Sequence, residues 1–292
     1  MIDSIPLIDF FYCSANVSAI LFWNILRDSQ ETICHLAFSL PFYTLRNHNF
    51  WKMHFTSLRF MSLNVKFWQP PQTTPNVGIV SFLKAHKLLE GIDLMYLGKS
   101  PMFDSKHHDP PTSQLKSYRG TLLLFCHLLN SVPFSHLETL NLLFPPNQNR
   151  LETDYQIQQL RILTQKHLLP ALKTLQFDST DYYSKPDKYR TQEQLQALIG
   201  LCADTLEVLR IHIDSGNQAF CSGSELAALV TNTHKLRVIT LSSVVNHKKK
   251  EYMDAFTKTI SSTGSCGSLQ TVFLDEFRYS ILDQTLTRVV QL

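Results

Sequence analysis

Aliphatic and aromatic residues recur along the chain in one short pattern, in which a first residue is followed by two more at the third and fifth positions after it. The eight occurrences are Ile33-Leu36-Phe38, Leu58-Met61-Leu63, Leu89-Ile92-Leu94, Leu137-Leu140-Leu142, Leu172-Leu175-Phe177, Leu206-Leu209-Ile211, Leu236-Ile239-Leu241 and Leu269-Val272-Leu274. The first residues run from 33 to 269 in seven steps, so the average spacing is about 34 residues. A period of this size predicts a stack of repeated structural units.

Each unit is predicted to contain one short strand and one helix. The side chains at the third and fifth positions point to one side of a strand, because alternate residues of a strand share a face. The predicted strands are 33–40, 58–65, 89–96, 137–143, 172–178, 206–213, 236–242 and 269–275. Between them, Leu195, Leu198, Ile199 and Cys202 have helical spacing. The pairs Ser222…Glu225 and Thr191…Gln194 have the spacing of a helix capping box.

Alternating strands and helices predict an α/β fold with a parallel sheet. We expect one domain over residues 1–292, because no unit can bury both its strand and its helix alone. The longest step between repeats predicts an insertion at 98–118, and helices are expected at about 16–28 and 278–292. The uncharged stretch 10–26 is shorter than the ~20 residues that span a bilayer, so we assign it to a buried helix.

The composition excludes several classes of protein. Leucine occurs 44 times but glycine only 9 times, which disfavours nucleotide sites built on glycine-rich loops. A net charge of +3 is too small to indicate nucleic-acid binding, and the proportion of apolar residues argues against disorder. The six cysteines are scattered through apolar segments, which predicts buried free thiols.

The repeats resemble leucine-rich repeats in the segments CADTLEVLRIHID (202–214), THKLRVITLSS (233–243), SHLETLNLLF (135–144) and PALKTLQFD (170–178). The most similar type is the ribonuclease-inhibitor-like form with helices, as it occurs in F-box/leucine-rich-repeat proteins. The resemblance covers residues 16–276. It implies a horseshoe solenoid of about eight irregular repeats, with parallel strands on the concave face and helices on the convex face.

The chain departs from this family in two ways. Family members usually carry Asn, Cys or Thr three residues after the third position of the pattern, and here only Thr180 does. No F-box is recognisable at the N-terminus, since the first predicted strand already begins at residue 33. These departures predict an uneven solenoid, and they leave open whether the chain is a fragment that lacks its adaptor-binding module.

The candidate binding site is the concave face, formed by the residues that alternate with the buried pattern. Small polar groups there are interspersed with aromatic and arginine side chains, which is typical of protein-recognition surfaces. The candidate residues are Phe60, Asp93, Met95, Asn141, Gln176, Asp178, Arg210, His212, Phe273 and Asp275.

We found no sequence motif for catalysis, metal binding or a cofactor. His107 and His108 lie beside two aspartates, but no second group of ligands accompanies them, so a polar loop is the preferred interpretation. The basic run 247–250 is interpreted as the solvated end of a helix.

The resemblance therefore implies a non-catalytic subunit that binds a protein substrate on its concave face for a Skp–cullin–F-box ubiquitin ligase. The Skp adaptor and a cullin would be partners if an F-box lies upstream. The alternative is a leucine-rich scaffold or regulator with no link to ubiquitin. A secreted or membrane-tethered receptor and an enzyme are less favoured. We expect a cytoplasmic or nuclear protein that binds neither nucleic acid nor membranes and needs no cofactor.

Overall fold

The computed structural model describes residues 8–10, 16–41, 50–66, 82–97, 114–129, 134–144, 154, 157–158, 160–162, 169–179, 188–213, 221–242, 249–263, 268–275, 277–282 and 285–291. They form an α/β structure in which mostly parallel strands alternate with helices. The chain, expected from its sequence to be one domain, divides into two compact units, Met1–Leu137 and Glu138–Leu292. Each unit is described by itself below.

The described part of the first unit contains five parallel strands that neighbour one another in chain order. They are β1 (Ile8–Phe10), β2 (His35–Pro41), β3 (Phe60–Lys66), β4 (Gly91–Leu97) and β5 (Ser117–Thr121). Its helices are α1 (Asn16–Asp28), a 3-10 helix at Phe50–Lys52, a helical turn at 82–85 and α2 (Leu122–Leu129). A helix between parallel strands lets the chain return to the start of the next strand.

The described part of the second unit also begins with five parallel strands in chain order. They are β6 (Thr139–Phe144), β7 (Thr174–Ser179), β8 (Val208–Ile213), β9 (Val238–Ser242) and β10 (Thr271–Leu274). The helices between them are α3 (Lys188–Gly200), α4 (Gly223–Val230) and α5 (Lys249–Thr263), and the described residues between 154 and 162 are helical.

The eight aliphatic triplets form the core of both units. Every residue of these triplets is buried, and the most exposed of them, Phe38, has 6% of its surface accessible. The four residues with helical spacing on α3 and the turn after it are buried as well, from Leu195 to Cys202. Burying each fully enclosed leucine contributes about 1.5–3 kcal/mol relative to leaving it in water. The hydrophobic pattern therefore positions both strands and helices.

Neighbouring repeats are also linked through a repeated backbone contact. The carbonyl of Arg59 accepts hydrogen bonds from the N–H groups of Glu90 and Gly91, at 2.7 and 3.0 Å. In the second unit the carbonyl of Lys173 accepts from Glu207 and Val208 in the same way, at 2.8 and 3.0 Å. Because the contact recurs at the start of successive strands, it keeps each strand in register with the one before.

Two strands lie outside the predicted repeat. β1 extends the first sheet on the N-terminal side of β2, and β5 begins at Ser117, within the predicted insertion 98–118. The residues 98–113 of that insertion lie outside the described residues. The search for aliphatic triplets missed β5 because its corresponding buried residues are Leu115, Tyr118 and Gly120.

The predicted helix at 278–292 is wrong. This segment forms two antiparallel strands, β11 (Phe277–Leu282) and β12 (Thr285–Gln291), and β11 pairs with β10. The segment is rich in β-branched and aromatic residues, which favour strands. The hairpin also satisfies the backbone groups at the edge of β10, which would otherwise remain unpaired.

The helix-start predictions had mixed outcomes. The capping box at Ser222 is confirmed: its Oγ accepts from the N–H of Glu225, and the Glu225 carboxylate accepts from the N–H of Ser222 at 2.6 Å. Thr191 does not start α3, which already begins at Lys188. The solvated helix end predicted at 247–250 is wrong for Lys249, which is only 4% exposed.

Candidate functional site

The face of each sheet that alternates with the buried triplets carries most of the predicted binding residues, and we call it the open face. In the first unit it contains the cross-strand rows His35–Phe60–Gly91–Ser117 and Ala37–Ser62–Asp93–Arg119. In the second unit it contains the rows Asn141–Gln176–Arg210–Thr240–Phe273 and Leu143–Asp178–His212–Ser242. The alternation of buried and open side chains follows from the two-residue period of a strand.

Phe60 is an exposed aromatic residue held in a defined position. The residue is 41% exposed, and the centroid of its ring lies 4.7 Å from that of the His35 ring. On the other side the ring lies over Gly91, where an added Cβ would come within 2.5 Å of Phe60 Cδ1. A glycine on the neighbouring strand therefore leaves the space that the Phe60 ring occupies.

Asp93 is the centre of a polar cluster beside Phe60. Its Oδ2 accepts a hydrogen bond from Ser62 Oγ at 3.3 Å and pairs with Arg119 Nη1 at 3.5 Å. Burial raises the pKa of Asp93, while the positive charge of Arg119 and the hydrogen bond from Ser62 oppose that rise. Met95 is placed on the same open face by its register opposite Asn64, but its side chain lies outside the described residues.

The cluster contains three buried polar atoms that have no hydrogen-bond partner among the described residues. They are Asn64 Oδ1, Asp93 Oδ1 and Arg119 Nε. Asn141 Oδ1, in the second unit, is also buried and has no hydrogen-bond partner among the described residues. Buried polar atoms are normally hydrogen-bonded in proteins, and because these atoms are shielded from solvent, a bound molecule could reach them only after their side chains moved.

In the second unit the predicted binding residues differ in whether they form hydrogen bonds or ion pairs with other residues of the chain. Gln176 Nε2 donates to both carboxylate oxygens of Asp178, at 3.2 and 2.9 Å. Arg210 and His212 are exposed, and neither makes an ion pair with any described residue. Phe273 is half-buried opposite Thr240. Arg210 and His212 are therefore exposed side chains of this face that form no ion pair with the described residues.

Asp275 lies at the end of β10 and contacts the interior of its unit. Its Oδ2 is 2.9 Å from Nζ of the buried Lys249, and its N–H donates to the carbonyl of Leu241 at 2.8 Å. Its φ of 50° is in the left-handed region, which aspartate tolerates better than most residues. These contacts give Asp275 a role in turning the chain from β10 into β11.

Neither a group of metal ligands nor a reactive thiol at Cys126 or Cys202 is present among the described residues. No group of three or more His, Cys, Asp or Glu side chains there could hold a metal ion. Burial raises the pKa of Cys202 to about 12 and raises that of Cys126 as well, so neither thiol is a nucleophile at neutral pH. The pair His107–His108 lies outside the described residues.

No described helix combines the length and the apolar character that crossing a bilayer requires. Cys34, Cys126, Cys202 and Cys221 are not joined in disulfides, as predicted. Cys126, Cys202 and Cys221 are also buried as predicted, whereas Cys34 is partly exposed.

Three members of the polar cluster, Ser62, Asn64 and Arg119, were not among the predicted binding residues. Arg119 was missed because β5 was not recognised as a strand. The signal for it is the spacing of Leu115, Tyr118 and Gly120, which repeats the third and fifth positions of the pattern with a tyrosine and a glycine. Ser62 and Asn64 lie on the predicted face but were not chosen as candidates, because a small polar residue on a solvated strand face carries no chemical signal of its own.

The sequence matches no family model, and no curated protein is significantly similar to it. The resemblance to leucine-rich repeats therefore rests on the residues of the repeats themselves.

Proposed function

We propose that this chain is a non-catalytic protein-recognition module of the leucine-rich-repeat type, in which the open faces form the concave binding surface of a solenoid. The horseshoe of about eight irregular repeats belongs to this proposal. Its support is the regular stacking of strands and helices in each unit, together with the resemblance of the repeat segments to that family.

The observation that carries the proposal is the position of Phe60. Four large hydrophobic residues are exposed in the described part of the chain, namely Leu21, Phe60, Leu88 and Ile162, and of these Phe60 lies on a strand. Its ring lies between the His35 ring and Gly91, on an open face that also carries Ser62 and Asp93. An aromatic side chain surrounded by polar groups is the usual composition of an energetic hot spot in a protein interface.

Photo-cross-linking tests this proposal. A benzoyl-phenylalanine replaces Phe60 in one variant and Leu21, on helix α1, in a control variant of the same chain. We expect a discrete cross-linked protein from cell extract with the probe at position 60, and its loss when excess unlabelled wild-type chain competes. Cross-links that are identical from both positions, or that do not compete, would contradict the open face as the binding surface.

The resemblance to F-box/leucine-rich-repeat proteins extends the proposal to substrate recognition for a Skp–cullin–F-box ubiquitin ligase in the cytoplasm or nucleus. Purified Skp adaptor provides the test, because a ligase subunit binds it directly in near-equal amount. Co-elution of the adaptor with the chain in gel filtration supports the ligase function. If the full-length product does not bind the adaptor, the ligase function is wrong.

A scaffold or regulator without a link to ubiquitin is the second candidate. The observation that favours it is β1, which pairs with β2 and so makes residues 8–41 a strand–helix–strand unit, where an F-box would consist of helices. A stable partner other than the adaptor, captured through position 60, would support this candidate.

A further inference from the structure

A row of charged residues runs across the starts of the strands in both units. Each residue of the row lies immediately before a strand and takes part in the backbone contact that links neighbouring repeats. The first residues of these strands are paired in register, and neighbouring strands are about 4.8 Å apart, so the residues of the row are neighbours across the sheet. We call this row the charge ladder; it consists of Arg59, Glu90 and Lys116 in the first unit, and Glu138, Lys173, Glu207 and Arg237 in the second.

Within each unit, neighbouring residues of the charge ladder have opposite charges at every step. In the first unit Glu90 contacts both neighbours, with Oε1 3.2 Å from Arg59 Nη1 and Oε2 2.9 Å from Lys116 Nζ. The hydrogen bond from Lys116 lowers the pKa of Glu90, and the positive charges of Lys116 and Arg59 lower it further, although desolvation opposes them. In the second unit Lys173 Nζ lies 3.3 Å from Glu138 Oε2. Each charge therefore faces a neighbour of opposite sign.

The other contacts between repeats do not distinguish one repeat from another. The backbone contact has the same form at each step, and the buried triplets are chemically similar. On these contacts alone, a repeat can stack on the next but one and leave the repeat between them out of the sheet. Incorrect assembly of this kind is a characteristic failure of repeat proteins.

The alternation of charge opposes such a skip. If the repeat of Lys173 were left out, Glu138 would lie beside Glu207. If the repeat of Glu207 were left out, Lys173 would lie beside Arg237. Like charges that face each other across neighbouring strands are destabilising. A skip of one repeat thus replaces attraction by repulsion wherever it occurs in the ladder.

We propose that the alternating signs of the charge ladder fix the order in which the repeats stack. The ladder acts during folding as a test of neighbours, which the aliphatic triplets cannot provide. The inference does not depend on what the open faces bind. Because the ion pairs are partly exposed, one pair alone contributes little, and the selectivity comes from the row as a whole.

The test exchanges two neighbouring charges in the double variant Lys173→Glu with Glu207→Lys. The exchange keeps the composition and the net charge, but it puts like charges beside Glu138 and beside Arg237. It also makes both skips attractive, because Glu138 then matches position 207 and Arg237 matches position 173. We expect the melting temperature at low ionic strength to fall by about 2–5 °C. In 1 M salt, where the Debye length is about 3 Å, most of this difference should disappear.

The matched control is a full-inversion variant in which every charge of the ladder is reversed. It contains both substitutions of the exchange variant but restores the alternation, so its melting temperature should return close to that of wild type. Its substitutions are Arg59→Glu, Glu90→Lys, Lys116→Glu, Glu138→Lys, Lys173→Glu, Glu207→Lys and Arg237→Glu.

Limited proteolysis with subtilisin after refolding from urea shows whether a repeat has been skipped. The helix of a skipped repeat loses its packing, so the exchange variant should be cut within α3 or α4 at low salt. Wild type and the full-inversion variant should resist these cuts. Leu140→Ala weakens the core of the second unit with the ladder intact, and it controls for cleavage that follows from lower stability alone.

Three results would overturn the inference. The first is an exchange variant that melts and is cleaved like wild type. The second is a full-inversion variant that loses as much stability as the exchange variant, which would assign the loss to the individual substitutions. The third is a loss of stability without cuts in α3 or α4 beyond those of Leu140→Ala, which would mean that the ladder stabilises the stack without fixing its order. None of these results affects the cross-linking test at Phe60.

Discussion

The imidazole of His86 joins two segments of the first unit by accepting a hydrogen bond from the backbone N–H of Phe55, with 2.8 Å between the nitrogens. Since that N–H can only donate, Nε2 of His86 must be unprotonated. Nδ1 therefore carries the proton and donates it to the carbonyl of Phe82 at 2.6 Å. The neutral ring also stacks on the Phe82 ring, with centroids 3.8 Å apart.

This arrangement predicts a loss of stability in mild acid. Burial lowers the pKa of His86 and the nearby His54 lowers it further, although the bond to Phe82 opposes both effects. Below the ordinary histidine pKa of about 6.5 the unfolded chain binds a proton that the folded chain resists, so the free energy of unfolding falls as the pH falls. Urea unfolding between pH 7.5 and 5.5 measures this decrease.

The variant His86→Asn isolates the contribution of the histidine. It removes the titrating ring, so the free energy of unfolding should fall less steeply with decreasing pH than in wild type. The other carboxyl and imidazole groups are present in both proteins, so the difference between the two profiles reports the change at His86. Parallel pH profiles for the two proteins would show that His86 is not the source of the acid sensitivity.

Adjacent positions on β8 should respond very differently to truncation. Leu209 is fully buried, whereas Arg210 is exposed on the open face. Leu209→Ala should lower the free energy of unfolding by about 2–5 kcal/mol, because it leaves a cavity in the core. Arg210→Ala should change it by no more than about 0.5 kcal/mol. Urea unfolding of both variants provides the comparison, and a reversed order would mean that the buried and open faces are exchanged.

The same reasoning applies to a double variant in which Arg210 and His212 are both replaced. This double substitution should leave the melting temperature nearly unchanged and weaken a partner that binds the open face of the second unit. Unfolding of the double variant would contradict the assignment of these two side chains to that face.

Much of the fold could be predicted because the apolar pattern and the two-residue period of a strand assign the same residues to the buried face. Each triplet, for example Leu206, Leu209 and Ile211, begins two residues before an observed strand and is buried in it. The prediction failed where burial is achieved with other residue types. In β5 the buried residues include Tyr118 and Gly120, and a search for aliphatic side chains does not detect them.

The site was less predictable than the fold, because the strand period assigns a residue to a face but does not show its contacts. Asp93 and Asp275 were both predicted on the same pattern. Asp93 joins an open cluster with Ser62 and Arg119, whereas the carboxylate of Asp275 pairs with Lys249 from a helix distant in sequence. Contacts of this kind, between different elements, depend on how the elements pack. A periodic pattern in the sequence carries no information about that packing.

Two glycines should tolerate alanine to different degrees. At Gly91 the new methyl group would meet the Phe60 ring, which can rotate towards solvent because it is partly exposed. At Gly223, on α4, it would collide with the backbone carbonyl of Tyr252, on α5. Gly91→Ala should therefore cost less than about 1 kcal/mol and weaken partner binding, while Gly223→Ala should cost about 1–3 kcal/mol. Thermal melting of both variants distinguishes these expectations, and equal costs would contradict the close approach of α4 and α5.

The ion pair of Lys249 and Asp275 should stabilise the second unit through its burial. The side chains of Lys249 and Asp275 are 5% and 28% exposed, so neither charge is fully screened by water. Asp275→Asn keeps a residue that tolerates the left-handed backbone but leaves the ammonium group facing a neutral amide. We expect a loss of about 2–3 kcal/mol in the free energy of unfolding, measured in urea.

A second substitution tests whether the loss comes from removing the negative charge beside Lys249. Lys249→Met removes the ammonium group and keeps most of the apolar stem. Combined with Asp275→Asn, it should recover part of the lost stability, because the buried ammonium group that had faced the carboxylate is then absent as well. The double-mutant cycle gives the coupling energy directly. Strictly additive effects would mean that the two groups do not interact, and that the cost of Asp275→Asn arises from the turn between β10 and β11.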